Sequence, residues 1–166
     1  HIPALAEQIE ARMAHRALLA EVLREQNEAW HCSPATLSHI RDLGEQGTFA
    51  VVTGQQVGLF GGPAYSIFKA ATAARLARKL TEDGIPAVPV FWLATEDHDF
   101  ADVNHTCVYD AKGESQTVKV DAPVALAGRQ HPVGAMAVTA PPTADLRRVL
   151  AGLPFADEVV AIVEKA

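Results

Sequence analysis

The hydrophobic and polar positions along the chain change period several times, and each change predicts an element. Over residues 3–29 the apolar positions Leu5, Ile9, Leu19, Val22 and Leu23 fall broadly on one face, which predicts a helix. Ser33-Pro34 then supplies an N-cap followed by proline at the first helical position. A short second helix is expected to about Leu43, with Gly44 and Gly47 stopping it. The run TFAVVT, residues 48–53, is rich in β-branched side chains and predicts a buried strand. Four glycines fall within GQQVGLFGGP, residues 54–63, which reads as a loop. Pro63 opens an alanine-rich helix that ends before Gly84, with Ile67, Ala71, Ala74 and Leu80 expected to face a sheet. AVPVFWL, residues 87–93, predicts a second strand with Trp92 in the core. Strand, loop, helix and strand make a βαβ unit, whose strands are expected to be parallel. Beyond it, Thr106–Tyr109 and Gln116–Val120 flank a hairpin turn, 121–132 reads as a loop, 133–138 as a short strand, and 143–152 and 155–165 as helices.

Composition narrows the class. The 166 residues are 49 % hydrophobic and 20 % charged, which excludes a disordered or collagen-like chain. No apolar run approaches the roughly 18 residues of a membrane helix. The net charge of −6, with no basic block, argues against sequence-independent nucleic-acid binding. Cys32 and Cys107 build no disulfide framework and form no CxxC, so a reducing cytoplasm fits best and Cys32 reads as a packing residue. The charged, helical N-terminal pattern predicts no signal peptide. A chain that begins at His1 and ends within a helical pattern is expected to be a fragment of a longer one. The expected organisation is N-terminal helices over 1–46 packing on an α/β core over 47–166.

Candidate chemistry falls where ligands sit in βαβ folds, beyond the carboxyl ends of the strands. A glycine-rich segment between strand and helix lets backbone N–H groups and the helix N-terminus approach an anion, although a tight turn alone would also call for glycine. TGQQVGLFGGP lacks the Gly-Lys-Ser/Thr of a Walker A loop, and its glycine spacing misses GxGxxG. Gln55 and Gln56 add amides suited to a carboxylate, sugar or base edge. The second cluster, TEDHDFADVNH over 95–105, crowds carboxylates, two histidines and an asparagine directly after an apolar strand. Its uses include general acid–base work by His98, capture of an ammonium group by Asp97 or Asp99, and metal or Mg-nucleotide binding. The bland alternative is a solvated acidic loop with Asp99 or Asp102 capping a short helix. A zinc set of His98, His105 and Cys107 has no standard spacing. Tyr65 and Lys69, one turn apart, are candidates for the site mouth, Lys69 toward a phosphate. Ser66 shows no His–Asp partners, which argues against a serine nucleophile. His1, His15, His31, His39 and His131 read as surface or loop residues, with a substrate contact from Arg129-Gln130-His131 as a further option.

VVTGQQVGLFGGPAYSIFKA, residues 51–70, and PVFWLATEDHDFADVNH, residues 89–105, together resemble the bacillithiol-biosynthesis cysteine-adding enzymes, the BshC family. The resemblance is strongest over 48–110 and continues more loosely through Arg129–Gly134 and the final helices. It implies a Rossmann-like three-layer core with a mostly parallel sheet, carrying N-terminal helices and a β-hairpin insertion. It also implies a cytoplasmic ligase that joins cysteine to glucosaminyl-malate, activating the cysteine carboxylate with ATP and Mg²⁺, without a metal site of its own. Implied catalytic residues are Asp97, His98 and Asp99. Implied binding residues are Gln55, Gln56, Gly58, Gly61, Gly62, Tyr65, Lys69, Glu96, Asn104 and His105. Family members are longer and dimerise through a C-terminal region. Related synthetases place histidines at the helix entry; here Leu59–Pro63 has none, so phosphate stabilisation is left to backbone N–H groups, Lys69 or segments outside this chain. Two other readings compete: a non-catalytic small-molecule-binding or assembly domain, and a metal-dependent hydrolase using Asp97, His98 and His105.

Overall fold

Helix α1 (Arg16–Ala29) begins on a charge rather than on its apolar face. Arg16 is buried, and its guanidinium donates to the carbonyls of Leu43 (3.1 Å) and Thr48 (2.6 Å). A buried cation is tolerable only when its donors find acceptors. These two carbonyls tie α1 to the end of α2 (Pro34–Gly44) and to the approach of the first strand. The computed structural model describes residues 8–9, 15–121, 131–137 and 140–165. Gln8 and Ile9 are helical, and the rest of the helix expected ahead of His15 lies outside the described residues. Leu19 and Val22, expected to pack, are exposed. Helix α2 starts as its sequence predicts: Ser33 Oγ accepts the N–H of Thr36 (3.3 Å), with Pro34 at the first position.

Strand β1 spans Phe49–Gln56 and strand β2 spans Ala87–Ala94, joined by α3 (Tyr65–Glu82). The pair is parallel. The N–H of Phe49, at the start of β1, donates to the carbonyl of Pro86 just before β2 (2.9 Å). Near the other end, Gly54 lies against Trp92, where a Cβ on Gly54 would sit 2.7 Å from the Trp92 carbonyl oxygen. Strand β1 runs on through Gly54-Gln55-Gln56, which the glycine-rich pattern predicts as loop. Helix α3 ends in a Schellman motif: Gly84, at φ +85°, donates to Thr81 and Ile85 donates to Leu80. Thr81 Oγ1 then accepts the N–H of Ala87 (3.0 Å), fixing the turn into β2.

Two expectations about packing fail here. The covered stripe of α3 is Ser66, Ala70, Ala73, Ala74, Ala77 and Leu80, so Ala74 and Leu80 are covered as expected, whereas Ile67 is 72 % exposed and Ala71 is also exposed. The buried positions repeat at helical spacing but select small side chains, which permit close approach, over bulky ones. Trp92 is 60 % exposed rather than core, because no third described strand flanks the β1–β2 pair.

The chain divides into two compact units. One comprises His1–Gly54 with Ile67–Trp92, and the other Gln55–Ser66 with Leu93–Ala166. The first has Ile40, Leu43, Ala73, Ala77 and Val88 as its buried apolar residues. The second holds the short helix α4 (Phe100–Val103), the antiparallel hairpin β3 (His105–Tyr109) and β4 (Ser115–Lys119), and helices α5 (Thr143–Leu150) and α6 (Ala156–Lys165). Its core is Leu146, Leu150 and Val160, against which Phe60, Val108, Leu153 and Val163 pack. Asp110 shapes the hairpin turn by accepting from the backbone of Glu114 and Lys112 and from Gln116 Nε2, and these bonds lower its pKa. The strand expected over 133–138 is instead a 3₁₀ turn at Val133–Ala135; Val138 lies outside the described residues. The N–H groups of Val133 and Gly134 bond to the carbonyls of Asp97 (2.7 Å) and Thr95 (2.9 Å), so no sheet ladder forms there.

Replacing Gly54 with alanine places a methyl against the Trp92 backbone, which cannot yield as a flexible side chain would. Gly54→Ala is expected to lower unfolding free energy by about 1–3 kcal/mol, the usual cost of overpacking, in urea denaturation. An unchanged midpoint would contradict the close strand approach.

Candidate functional site

The second unit brings the end of β1 to the loop that follows β2. Gln56, the last residue of β1, donates from Nε2 to a carboxylate oxygen of Asp97. The other carboxylate oxygen accepts the N–H of His98 (2.7 Å) and of Asp99 (3.3 Å). Asp97 therefore folds the loop around its own side chain. The Gln56 bond first, then the Asp99 and His98 backbone bonds and the charge of His98, hold its carboxyl below the ordinary aspartate range against an opposing desolvation effect. A carboxylate held in this way stays ionised to lower pH. The carbonyl of Asp97 is also occupied, by the N–H of Val133.

Gln55 and Tyr65 form a second bridge, Nε2 to the phenol oxygen at 3.1 Å, linking β1 to the start of α3. The glycine-rich segment between them is a tight turn. Phe60, Gly61 and Gly62 all have positive φ, at 55°, 89° and 73°. Gly62, with ψ −157°, occupies a region essentially confined to glycine. A Cβ on Gly58 would lie 2.8 Å from Gly62 Cα, so the turn closes on itself there. The N–H groups of Gly61 and Gly62 donate within the turn, to Gly58 (3.0 Å) and Leu59 (3.2 Å). Phe60 is left-handed without being glycine, and it packs on the Leu146–Leu150–Val160 core, which anchors the turn.

The remaining candidates separate. His98 and Asp99 are exposed, and Asp99 stands at the N-cap position of α4 without a side-chain capping bond. Glu96 is exposed in the preceding turn. Asn104 is buried at the base of the hairpin: its carbonyl accepts from Val120 (2.9 Å), and its Oδ1 lies 3.3 Å from Nδ1 of His105. Lys69 belongs to the first unit, where Nζ donates to the Gly54 carbonyl (3.1 Å). Arg129 and Gln130 lie outside the described residues, and His131 has a buried Nε2. Among the described residues, no three His, Cys, Asp or Glu side chains gather as a group that could hold a metal ion, including the His98, His105 and Cys107 set.

The sequence reading missed the support beneath the loop. A Cβ on Gly134 would sit 2.6 Å from the Cβ of Thr95, so glycine lets the Val133–Ala135 turn dock under Thr95–Asp97. An isolated glycine in an apparent strand was the available signal.

A parallel strand pair joined by a helix defines an α/β domain. Residues 3–165 match the family model described as bacillithiol biosynthesis BshC, N-terminal Rossmann-like domain. The chain belongs to the BshC family. Three relatives bear the name "Putative cysteine ligase BshC". The one from Solibacter usitatus is 46 % identical over 162 residues, covering 98 % of this chain and 29 % of that protein. That from Koribacter versatilis is 47 % identical over 105 residues, 63 % of this chain and 20 % of its own length. That from Staphylococcus haemolyticus is 47 % identical over 103 residues, 61 % and 19 %. The chain thus spans less than a third of the length of these relatives. No described helix is long and apolar enough to cross a membrane.

Because the folded pKa of Asp97 is depressed, its contribution to stability is present above the ordinary aspartate range and is lost as pH falls through the lower folded value. Carboxyl NMR titration should find Asp97 among the most acidic aspartates. Gln56→Ala should move it upward, since the largest lowering contact is removed. An Asp97 titration unmoved by Gln56→Ala would contradict the bridge.

Proposed function

We propose that this domain carries the cysteine-activating site of a carbon–nitrogen ligase that joins cysteine to glucosaminyl-malate in bacillithiol biosynthesis. The observation that carries the reading is the fixed, ionised Asp97 at the strand ends of a BshC-family domain. At neutral pH cysteine bears an ammonium and a carboxylate, and a carboxylate does not acylate an amine until it is activated. Asp97 is the counter-ion for the ammonium, and Gln56 holds that carboxylate in place. Asp99 adds a second negative charge at the same loop.

The cysteine carboxylate oxygen attacks the α-phosphorus of ATP, and pyrophosphate leaves. The amine of glucosaminyl-malate then attacks the resulting acyl carbon, forming the C–N bond as AMP departs. His98 accepts the proton that the amine loses. Gly58, Gly61 and Gly62 keep side chains away from the start of α3, where a phosphate can approach. Gln55 and Tyr65 position the β1 end. Glu96 extends the acidic rim, and Asn104 with His105 braces the loop from the hairpin. Mg²⁺ would enter with ATP, held by the phosphates. The reading places the reaction in a reducing cytoplasm, where Cys32 and Cys107 stay as free thiols. It keeps the homodimer implied by the family, assembled outside this chain.

The test uses the whole protein. His98→Ala should lower kcat by about 10²–10⁴, the range for a general base, and leave the cysteine Kd within about twofold. Asp97→Asn should weaken cysteine binding at least about tenfold. Unchanged turnover in His98→Ala would remove the base assignment. Loss of binding alone in both variants would favour a non-catalytic binding domain.

A further inference from the structure

Ser66 lies in the first turn of α3, an 18-residue helix, and is 8 % exposed. Its Oγ is buried and has no hydrogen-bond partner. Its backbone N–H is satisfied by the Pro63 carbonyl (2.9 Å), so the orphan is the hydroxyl alone. The hydroxyl is aimed at the glycine turn: a Cβ on Gly62 would stand 4.0 Å from it. Burying a hydroxyl without a partner is unfavourable, and alanine would fit this helical position without that penalty. The orphan donor also sits beside the positive end of the helix dipole, where a negative ligand is favoured and a neutral acceptor gains little.

We propose that Ser66 is a ligand-binding residue that donates its hydroxyl proton to an oxyanion, a phosphate or a carboxylate, bound between the Gly58–Gly62 turn and the first turn of α3. The assignment rests on the ligase reading and deepens it. It places an anionic group of a substrate at the start of α3, apart from the ammonium held by Asp97. Ser66 Oγ is buried in the unliganded protein, so binding requires its surroundings to open. Phe60 keeps the turn attached to the core while they move.

Calorimetric titrations of the whole protein with pyrophosphate and, separately, with malate distinguish the two sources of the oxyanion. Ser66→Ala should weaken one of them by about ten- to a hundredfold, as expected for a hydrogen bond to a charged group, and leave the other within about twofold. The melting temperature of the unliganded variant should stay level or rise, whereas a serine with a structural bond would lower it. In the parent protein, the same anion should slow amide hydrogen exchange over residues 57–68. Affinities for both anions within twofold of the parent overturn the assignment, as does unaltered exchange over 57–68. If those failures occur while turnover still depends on His98, the Ser66 assignment alone falls. If neither the anions nor cysteine bind the parent protein, the ligase reading falls with it.

Discussion

The hydrogen bond from Gln56 to Asp97 is the constraint on which the site depends. It joins the last residue of one strand to the loop that leaves the other, across 41 positions of sequence. Because the acceptor is ionised, the bond is stronger than one between neutral groups, and it holds a loop that has little apolar surface to hold it otherwise. Asp97 then organises its neighbours. Its side chain accepts the next two loop amides, and its carbonyl accepts the N–H of Val133. One residue therefore fixes the exit from β2, the orientation of His98 and Asp99, and the docking of a segment some 35 positions further on.

The same bonds divide the chemistry. A carboxylate satisfied by three N–H donors is a weaker base than a free one, which in the proposed reaction suits Asp97 to holding the cysteine ammonium. His98, exposed and tied to Asp97 through its backbone N–H, is the base of the proposed reaction. The glycine turn on the other side of the site follows a different logic. Its shape is set by a left-handed Phe60 packed on the core and by glycines where a Cβ would collide, and the amides of Gly61 and Gly62 bond inside the turn. An anion approaching there meets the start of α3 rather than a cradle of free glycine amides.

Much of this was legible in the sequence because local rules and tertiary needs agree. The Ser33-Pro34 cap, both parallel strands, the glycine turn, the hairpin around Asp110 and the two C-terminal helices all follow from short-range signals. The failures share a cause. Ile67 and Trp92 look like core by hydrophobicity, yet close packing on α3 favours Ala73 and Ala77, and no described strand lies beside the pair to cover Trp92. Residues 133–138 alternate like a strand in sequence, but the amides of Val133 and Gly134 go to the carbonyls of Asp97 and Thr95. Arg16 looks like a surface charge and is instead a buried clasp. Each is decided by a partner far along the chain. In the site, the crowding of acidic and histidine residues was visible over 95–105. The pairing of Asp97 with Gln56 was not, since nothing in either segment specifies the other.

In the proposed reaction the carboxylate of cysteine is activated on the α-phosphorus of ATP. Isotope exchange tests it most directly. The whole protein, given ATP, labelled pyrophosphate and cysteine without the amine acceptor, should move label into ATP, and it should do so only when cysteine is present. Formation of ADP and phosphate with no pyrophosphate exchange, under conditions where cysteine binds, would contradict the account and point to a different activated intermediate.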